Sequence, residues 1–394
     1  MKHSDIEKIH ATGLITAEQR EQIIAHFQLK EGAGRFLTII SFLGAVLIAS
    51  GIVLLISANW DEIPHGLKIA SGLLLMLGAH VGGYYLRDVQ GKYQKAGEAL
   101  HLAGSGLFLA NIALIGQIYH LSSRAPNAIL LWWLGIAALP WLLRSKAQHI
   151  LSLLAFGLWF GLEVNQRDGW IFFGDDQHQI LLYSLLGLVY LGGGYSLRRT
   201  SFAEFAPPTE NLGLLVFHLF SFPLTWGIFY SGHKNVSPHA TEILIGLGVI
   251  TLALLAWGVK QDPRLRRQWR WTWGLTLVGA VALLAGALIG DWSGSNGFFP
   301  GSETALYNWI AALALFVFCL LQIQVGIQTR SPYTVNLGIA FISLNLIATY
   351  ITLIGSMART GLMFLISGVF LIAFGIYLEK KRRALLQRMQ TSTP

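Results

Sequence analysis

Carboxylate, imidazole, amide and ammonium groups crowd into one short stretch of this chain. Asn59, Trp60, Asp61, Glu62, His65 and Lys68 all fall within SANWDEIPHGLKIA, residues 57–70, between two long apolar runs. At a partly desolvated mouth such a set can relay protons, do general acid–base work or bind an anion. The same residues also suit plain anchoring. Trp60 fits a membrane interface, and Pro64 fits the first turn of a helix, where its missing N–H is harmless. Asp61 and Glu62 favour a helix N-terminus, and Lys68 can snorkel outward or pair with one of the acids. Both readings stay open at this level.

A second polar pattern runs through GEALHLAGSGLFLANIALIGQIYHL, residues 97–121. Glu98, His101, Ser105, Ile112, Gly116 and Tyr119 recur at helical steps and share one face. The stripe is polar at both ends and apolar through Phe108 and Ile112, so it offers no continuous polar path. Glu98-Ala-Leu-His101 has the Glu-x-x-His spacing of carboxylate-bridged di-iron bundles, which need the motif twice. The spacing recurs only outside the apolar runs, at Glu7 to His10 and Glu62 to His65, so no helix bundle holds it twice and no metal and no cofactor is expected. P-loop, Gly-x-Ser-x-Gly and His-Glu-x-x-His patterns are absent as well.

Other ionisable residues fall inside apolar runs, where each costs at least ~2.5 kcal/mol unless it pairs or lines water. His149, Glu163 and Glu242 lie near the run ends. His80 and His218 lie deep, and a neutral histidine bonded to a facing helix accounts for each.

The elements that hold these groups are long. The 394 residues are 54% hydrophobic and 12% charged, against about 25% charged in an average soluble domain. Apolar runs of ~20 residues match the thickness of a bilayer core, and they recur from Phe36 almost to the C-terminus. They are apolar all round rather than alternating, which excludes barrel strands. The fold class is therefore all-α: a polytopic helical membrane protein of about twelve transmembrane helices. The spans are 36–57, 66–86, 97–119, 127–143, 147–164, 179–197, 211–230, 240–259, 271–290, 304–327, 332–354 and 358–378.

Basic residues set the orientation, because short cytoplasmic loops carry them in excess. With both termini inside (N-in/C-in), all but Lys68, Arg124, Arg167, Lys234 and Arg359 of the 28 Lys and Arg residues fall on the cytoplasmic side. The net charge of +8 is thereby explained by topology, so nucleic acid is not expected as a partner and membrane lipids are. The charged first 34 residues lack a signal-peptide core. The single cysteine, Cys319, leaves no intrachain disulfide.

Three regions follow. Residues 1–34 form a short cytoplasmic helical hairpin. Ser4 to Glu7 and Thr16 to Gln19 read as capping boxes, and Gly13 between them as a helix stop. Residues 35–150 hold the polar signatures. Residues 151–394 hold the remaining spans and a basic cytoplasmic tail. Gly-x-x-x-Gly pairs at Gly78 and Gly82, Gly157 and Gly161, and Gly286 and Gly290 read as close helix packing.

NWDEIPHGLKIA, GEALHLAGSGLFLANIALIGQIYHL and LLWWLGIAALPWLL, preceded by Gly-Leu-Ile-Thr-x-Glu-Gln at residues 13–19, resemble a bacterial family of predicted membrane proteins catalogued as domain of unknown function 2157. The likeness spans roughly residues 5–150. It implies a bacterial inner (plasma) membrane location and no established activity, and it transfers no site residue. Its signature positions Asn59, Trp60, Pro64, Lys68, Gln117 and Tyr119 map to the outer ends of the first three spans.

Three functions are compatible with these observations. Transport or handling of a lipid or envelope component would use an outward pocket of Asn59, Trp60, Asp61, Glu62, His65, Lys68, Gln117, Tyr119 and His120. A non-catalytic scaffold or sensor would recruit a protein partner through residues 4–30. An envelope transferase would use Asp61 or His120 as base, although external loops of only about fourteen residues disfavour it.

Overall fold

A computed structural model describes residues 6, 9–10, 12–26, 47, 60–121, 123–166, 169, 176–225, 238–289, 303–354, 368–369, 371–377 and 379–383. All of the expected span 36–57 but residue 47, most of 358–378, the first capping box at Ser4 and the last residues of the tail lie outside them.

Local signals act as their chemistry requires. Helix α1 (Ala17–His26) opens on a reciprocal capping box. The Thr16 N–H donates to Gln19 Oε1 at 3.0 Å, and the Gln19 N–H donates to Thr16 Oγ1 at 3.3 Å. Gly13, with φ +75°, closes the preceding turn, a left-handed conformation open to glycine at no steric cost.

The membrane region contains α2 (His65–Tyr84), α3 (Gln94–Ile118), α4 (Ala125–Ile136), α5 (Leu139–Leu143), α6 (Lys146–Asn165) and α7 (Asp176–Leu197). It continues with α8 (Ala206–Ser221), α9 (Pro238–Gln261), α10 (Arg267–Ile289), α11 (Glu303–Gln328) and α12 (Pro332–Ile354). The described residues are overwhelmingly helical, and eight helical stretches among them are long and apolar enough to cross a membrane.

Proline accounts for two of the departures from the expected spans. The run 127–143 is interrupted: α4 ends at Ile136 and α5 starts at Leu139. Pro140 lacks an N–H, and its ring would strike the carbonyl four residues back, which is that of Ile136. The seventh span begins at Ala206 rather than 211, because Pro207 and Pro208 occupy the first turn of α8, where proline is tolerated.

The chain divides into two compact units, residues 1–71 and 72–394, with the division inside α2. In the larger unit α7 is central: most of its apolar stretch is buried, a larger share than in any other candidate span among the described residues. It packs most heavily on α8 and α9. Leu181, Leu185 and Leu188 meet Phe217, Leu255 and Trp273 in the main core. Backbones touch where α7 and α8 cross, since a Cβ on Gly213 would lie 2.7 Å from the Gly187 carbonyl oxygen.

The Gly-x-x-x-Gly readings fare unevenly. Gly161 abuts Tyr183, whose hydroxyl donates to the Gly157 carbonyl at 3.1 Å, so this pair does admit α7. Gly78 has open space around it and Gly82 meets only Leu100 at 3.5 Å. The tight approach of α2 to α3 instead uses Gly83 and Gly97, where a Cβ on Gly97 would lie 2.7 Å from the Gly83 carbonyl oxygen. Spacing alone did not reveal which glycines face a neighbour. Gly290 lies outside the described residues.

Candidate functional site

The opening cluster starts with a single 3-10 turn, Trp60–Glu62. Pro64 follows, and its carbonyl accepts from the N–H groups of Leu67 and Lys68 at 3.0 and 3.1 Å. These bonds start α2 and turn Lys68 back over the preceding turn. Its ammonium lies 4.5 Å from the centre of the Trp60 ring, and the residue is 6% exposed. A desolvated cation on an indole face is held electrostatically, by ~2 kcal/mol or more. Glu62 and His65 are exposed. Asn59 and the side chain of Asp61 lie outside what is described.

At the end of α3, Gln117, Tyr119 and His120 are all exposed. His120 has φ +49°, and the Leu121 N–H reaches back to the Gly116 carbonyl at 2.9 Å. This is a Schellman stop with histidine in the left-handed position. Arg144 and Arg330 end α5 and α11 with the same backbone sign.

The stripe on α3 is consumed in contacts between helices. Ser145 Oγ donates to Glu98 Oε1 at 3.0 Å, and Ser105 Oγ donates to Gln148 Oε1 at 3.0 Å. The Trp132 indole N–H donates to the Ser105 carbonyl at 2.7 Å. His101 Nδ1 faces His80 Nδ1 on α2 at 3.1 Å. Farther along, Asn111 donates to the Gly72 carbonyl at 3.0 Å.

The remaining intramembrane groups pair in the same way. Arg124 donates to Glu163 at 2.9 Å, and His149 Nε2 lies 2.7 Å from Thr209 Oγ1. His218, fully buried, has Nε2 2.6 Å from Gln322 Oε1, and its ring stacks on Phe341. Gln322 in turn donates to the Thr334 carbonyl at 2.9 Å. The expectation that His80 and His218 bond to a facing helix therefore holds for both.

One cluster escaped the sequence reading. Arg198, at the end of α7, binds Glu210 through two donors at 2.6 and 2.8 Å. Arg264 reaches Glu210 at 3.4 Å and Asp262 at 2.7 Å. Asp262 is 0% exposed, its Oδ1 accepts from the Arg264 N–H at 2.9 Å, and Arg270 donates to its carbonyl. Burial by itself would raise the Asp262 carboxyl. The hydrogen bonds and charge of Arg264, joined by Arg198, outweigh it and hold the group below the usual carboxylate range. Counting arginines as topology markers hid their acid partners, although Asp262-Pro263-Arg264 is a recognisable Asx-turn sequence.

A cavity of about 480 Å³ opens between α8, α10 and α11. Phe217, Leu224, Ala280, Leu284, Ala314 and Phe318 give its character, and among the described residues that line it Ser221 and Thr276 alone supply side-chain hydroxyls. Among the described residues no group of three or more His, Cys, Asp or Glu side chains is placed to hold a metal.

Residues 7–148 match the family described as Predicted membrane protein (DUF2157). The match takes in the Trp60 turn, α2 to α5 and the first residues of α6, and stops short of the arginine–carboxylate cluster and the cavity. No curated protein and no solved structure matches the chain.

Proposed function

We propose that this chain is a multi-pass protein of the bacterial inner membrane that holds a lipid or lipid-like envelope component by its hydrocarbon part, in the groove between α8, α10 and α11. The observation that carries this reading is the lining: about 480 Å³ bounded by aliphatic and aromatic side chains, with hydroxyls, among the described residues, only at Ser221 and Thr276. Apolar walls with a few polar groups are what an amphipathic ligand's tail requires. Twelve spans with both termini cytoplasmic fit the eight apolar helical stretches, together with α8 and its following turn, α10, and the runs 36–57 and 358–378.

Lys68 supports this emphasis. Its ammonium is engaged by Trp60, which favours anchoring over transport through an outward polar mouth. A scaffold or sensor role is the second reading, supported by the capped hairpin and by Leu14, 77% exposed at its turn.

The test is native mass spectrometry of the protein from lipid nanodiscs. Ala280→Trp and Ala314→Trp, which fill the groove, should lose a co-purifying lipid that the unaltered protein retains. Equal retention by all three would overturn the reading.

A further inference from the structure

His80 and His101 meet through the same ring atom, and two Nδ1 atoms 3.1 Å apart can share only one proton. One ring must donate and the other accept. The surroundings decide which. His101 is 2% exposed, and its Nε2 is buried with no hydrogen-bond partner. A buried N–H left unpaired is rarer than an acceptor left unpaired, so His101 Nε2 holds a lone pair. The bridging proton then sits on His101 Nδ1 and points at His80 Nδ1, while His80 carries its own proton on Nε2. The pair is left with one free basic atom, His101 Nε2.

The charged groups acting on His101 are Arg87 and Asp88, from the turn that ends α2, and Glu98, from α3. Arg87 and Asp88 approach each other at 3.9 Å and largely offset one another. Glu98 stands three residues before His101, one turn away on the same helix face, so the pair has a nearby negative charge. The interface is too close to yield by sliding apart, since a Cβ on Gly104 would lie 2.7 Å from the His80 ring.

We propose that His80 and His101 form an intramembrane proton-binding site with Glu98 as its counter-charge. The proton taken up bonds to the lone pair of His101 Nε2, no bond breaks, and the pair gains one positive charge. The bridge survives and becomes a charge-assisted N–H···N bond, which is stronger than its neutral form. A second proton has only His80 Nδ1 left to bind, and binding there breaks the bridge. The Glu-x-x-His spacing at 98–101 thus places an acid beside a proton site.

The test is nitrogen-15 NMR of the full-length protein, labelled at histidine, in nanodiscs. Near neutral pH one ring of the pair should show a protonated Nδ1 and the other a protonated Nε2, with a coupling across the hydrogen bond. His80→Gln and His101→Gln, used singly to assign the signals, should each remove that coupling. As pH falls the pair should take up one proton with the coupling retained. Glu98→Gln keeps the oxygen that Ser145 donates to, and should weaken this uptake by about tenfold, one pH unit. Two rings titrating independently, no coupling at any pH, or uptake unchanged in Glu98→Gln would each overturn the proposal.

Discussion

The ammonium of Lys68 sits 4.5 Å from the centre of the Trp60 ring, eight residues back along the chain and across the turn that starts α2. If that contact anchors the turn, Lys68→Met and Trp60→Leu should each lower stability by about 2 kcal/mol. The double variant should then lose less than the sum, since partners in contact are not additive. Unfolding in nanodiscs measures all three. Additive losses would show that the two residues act separately.

His120 was a candidate base from sequence, and the structure gives it a backbone task. A non-glycine residue at φ +49° carries strain of order 1 kcal/mol. His120→Gly should therefore keep the fold and raise its stability by up to about 1 kcal/mol. A lower unfolding midpoint would mean that the imidazole itself makes a contact worth more than the strain.

The arginine–carboxylate cluster should be sensitive to loss of a single member. Glu210→Gln leaves Arg198 and Arg264 facing Asp262 alone, and breaking a buried ion pair costs about 3–5 kcal/mol. Side chains 11–26% exposed place the expected loss at or below the bottom of that range, near 3 kcal/mol. Denaturation of the purified variant beside the unaltered protein reads it directly.

Asp262 gives the same cluster a pH signature. Its carboxyl is held below the usual range in the folded protein, so in the unfolded chain it protonates first as pH falls. The stability it contributes is fully present above the unfolded value of about 4. That contribution is lost as pH drops through the lowered folded value. The stability gap between the protein and Asp262→Asn should accordingly be widest near neutrality and shrink below about pH 4. A gap that stays constant to low pH would remove the linkage.

Span positions were legible because apolar length and the placement of arginine and lysine are one-dimensional signals. Thr16, Gln19 and Gly13 were legible for the same reason, as caps depend on neighbours three residues away. Partners were not. Nothing in GGGYSLRR shows that Arg198 meets Glu210, or in GLFLANIAL that Asn111 reaches the Gly72 carbonyl, because those contacts are set by which helix faces which. Pro140 marks the middle ground: its place near the end of the run 127–143 is plain from the sequence, but its break at Ile136 follows only from the four-residue reach of its ring.

Helix approach gives a sharp contrast between two glycines. A Cβ at Gly97 would press against Arg87 and the Gly83 carbonyl, whereas one at Gly78 meets nothing within 4 Å. Gly97→Ala should force α2 and α3 apart and cost about 1–3 kcal/mol, as overpacking does. Gly78→Ala should be neutral or stabilising by several tenths of a kcal/mol through helix propensity. Equal effects in thermal unfolding would show that the glycines facing α3 have been misidentified.

His218 and Gln322 lie 104 residues apart in sequence and 2.6 Å apart in space. Because Gln322 gives its amide N–H to the Thr334 carbonyl, its oxygen must accept from His218 Nε2, so the ring is the donor in this bond. Gln322→Met leaves that donor buried and unpaired, a loss of about 1–3 kcal/mol. Pairing it with His218→Phe removes the orphan and keeps a ring against Phe341, so most of the loss should return, as when both partners of a buried bond become apolar. Recovery in the double variant, measured by unfolding, would establish the pair as a clamp between α8 and α11. Failure to recover would show that the imidazole is needed for more than its bond to Gln322.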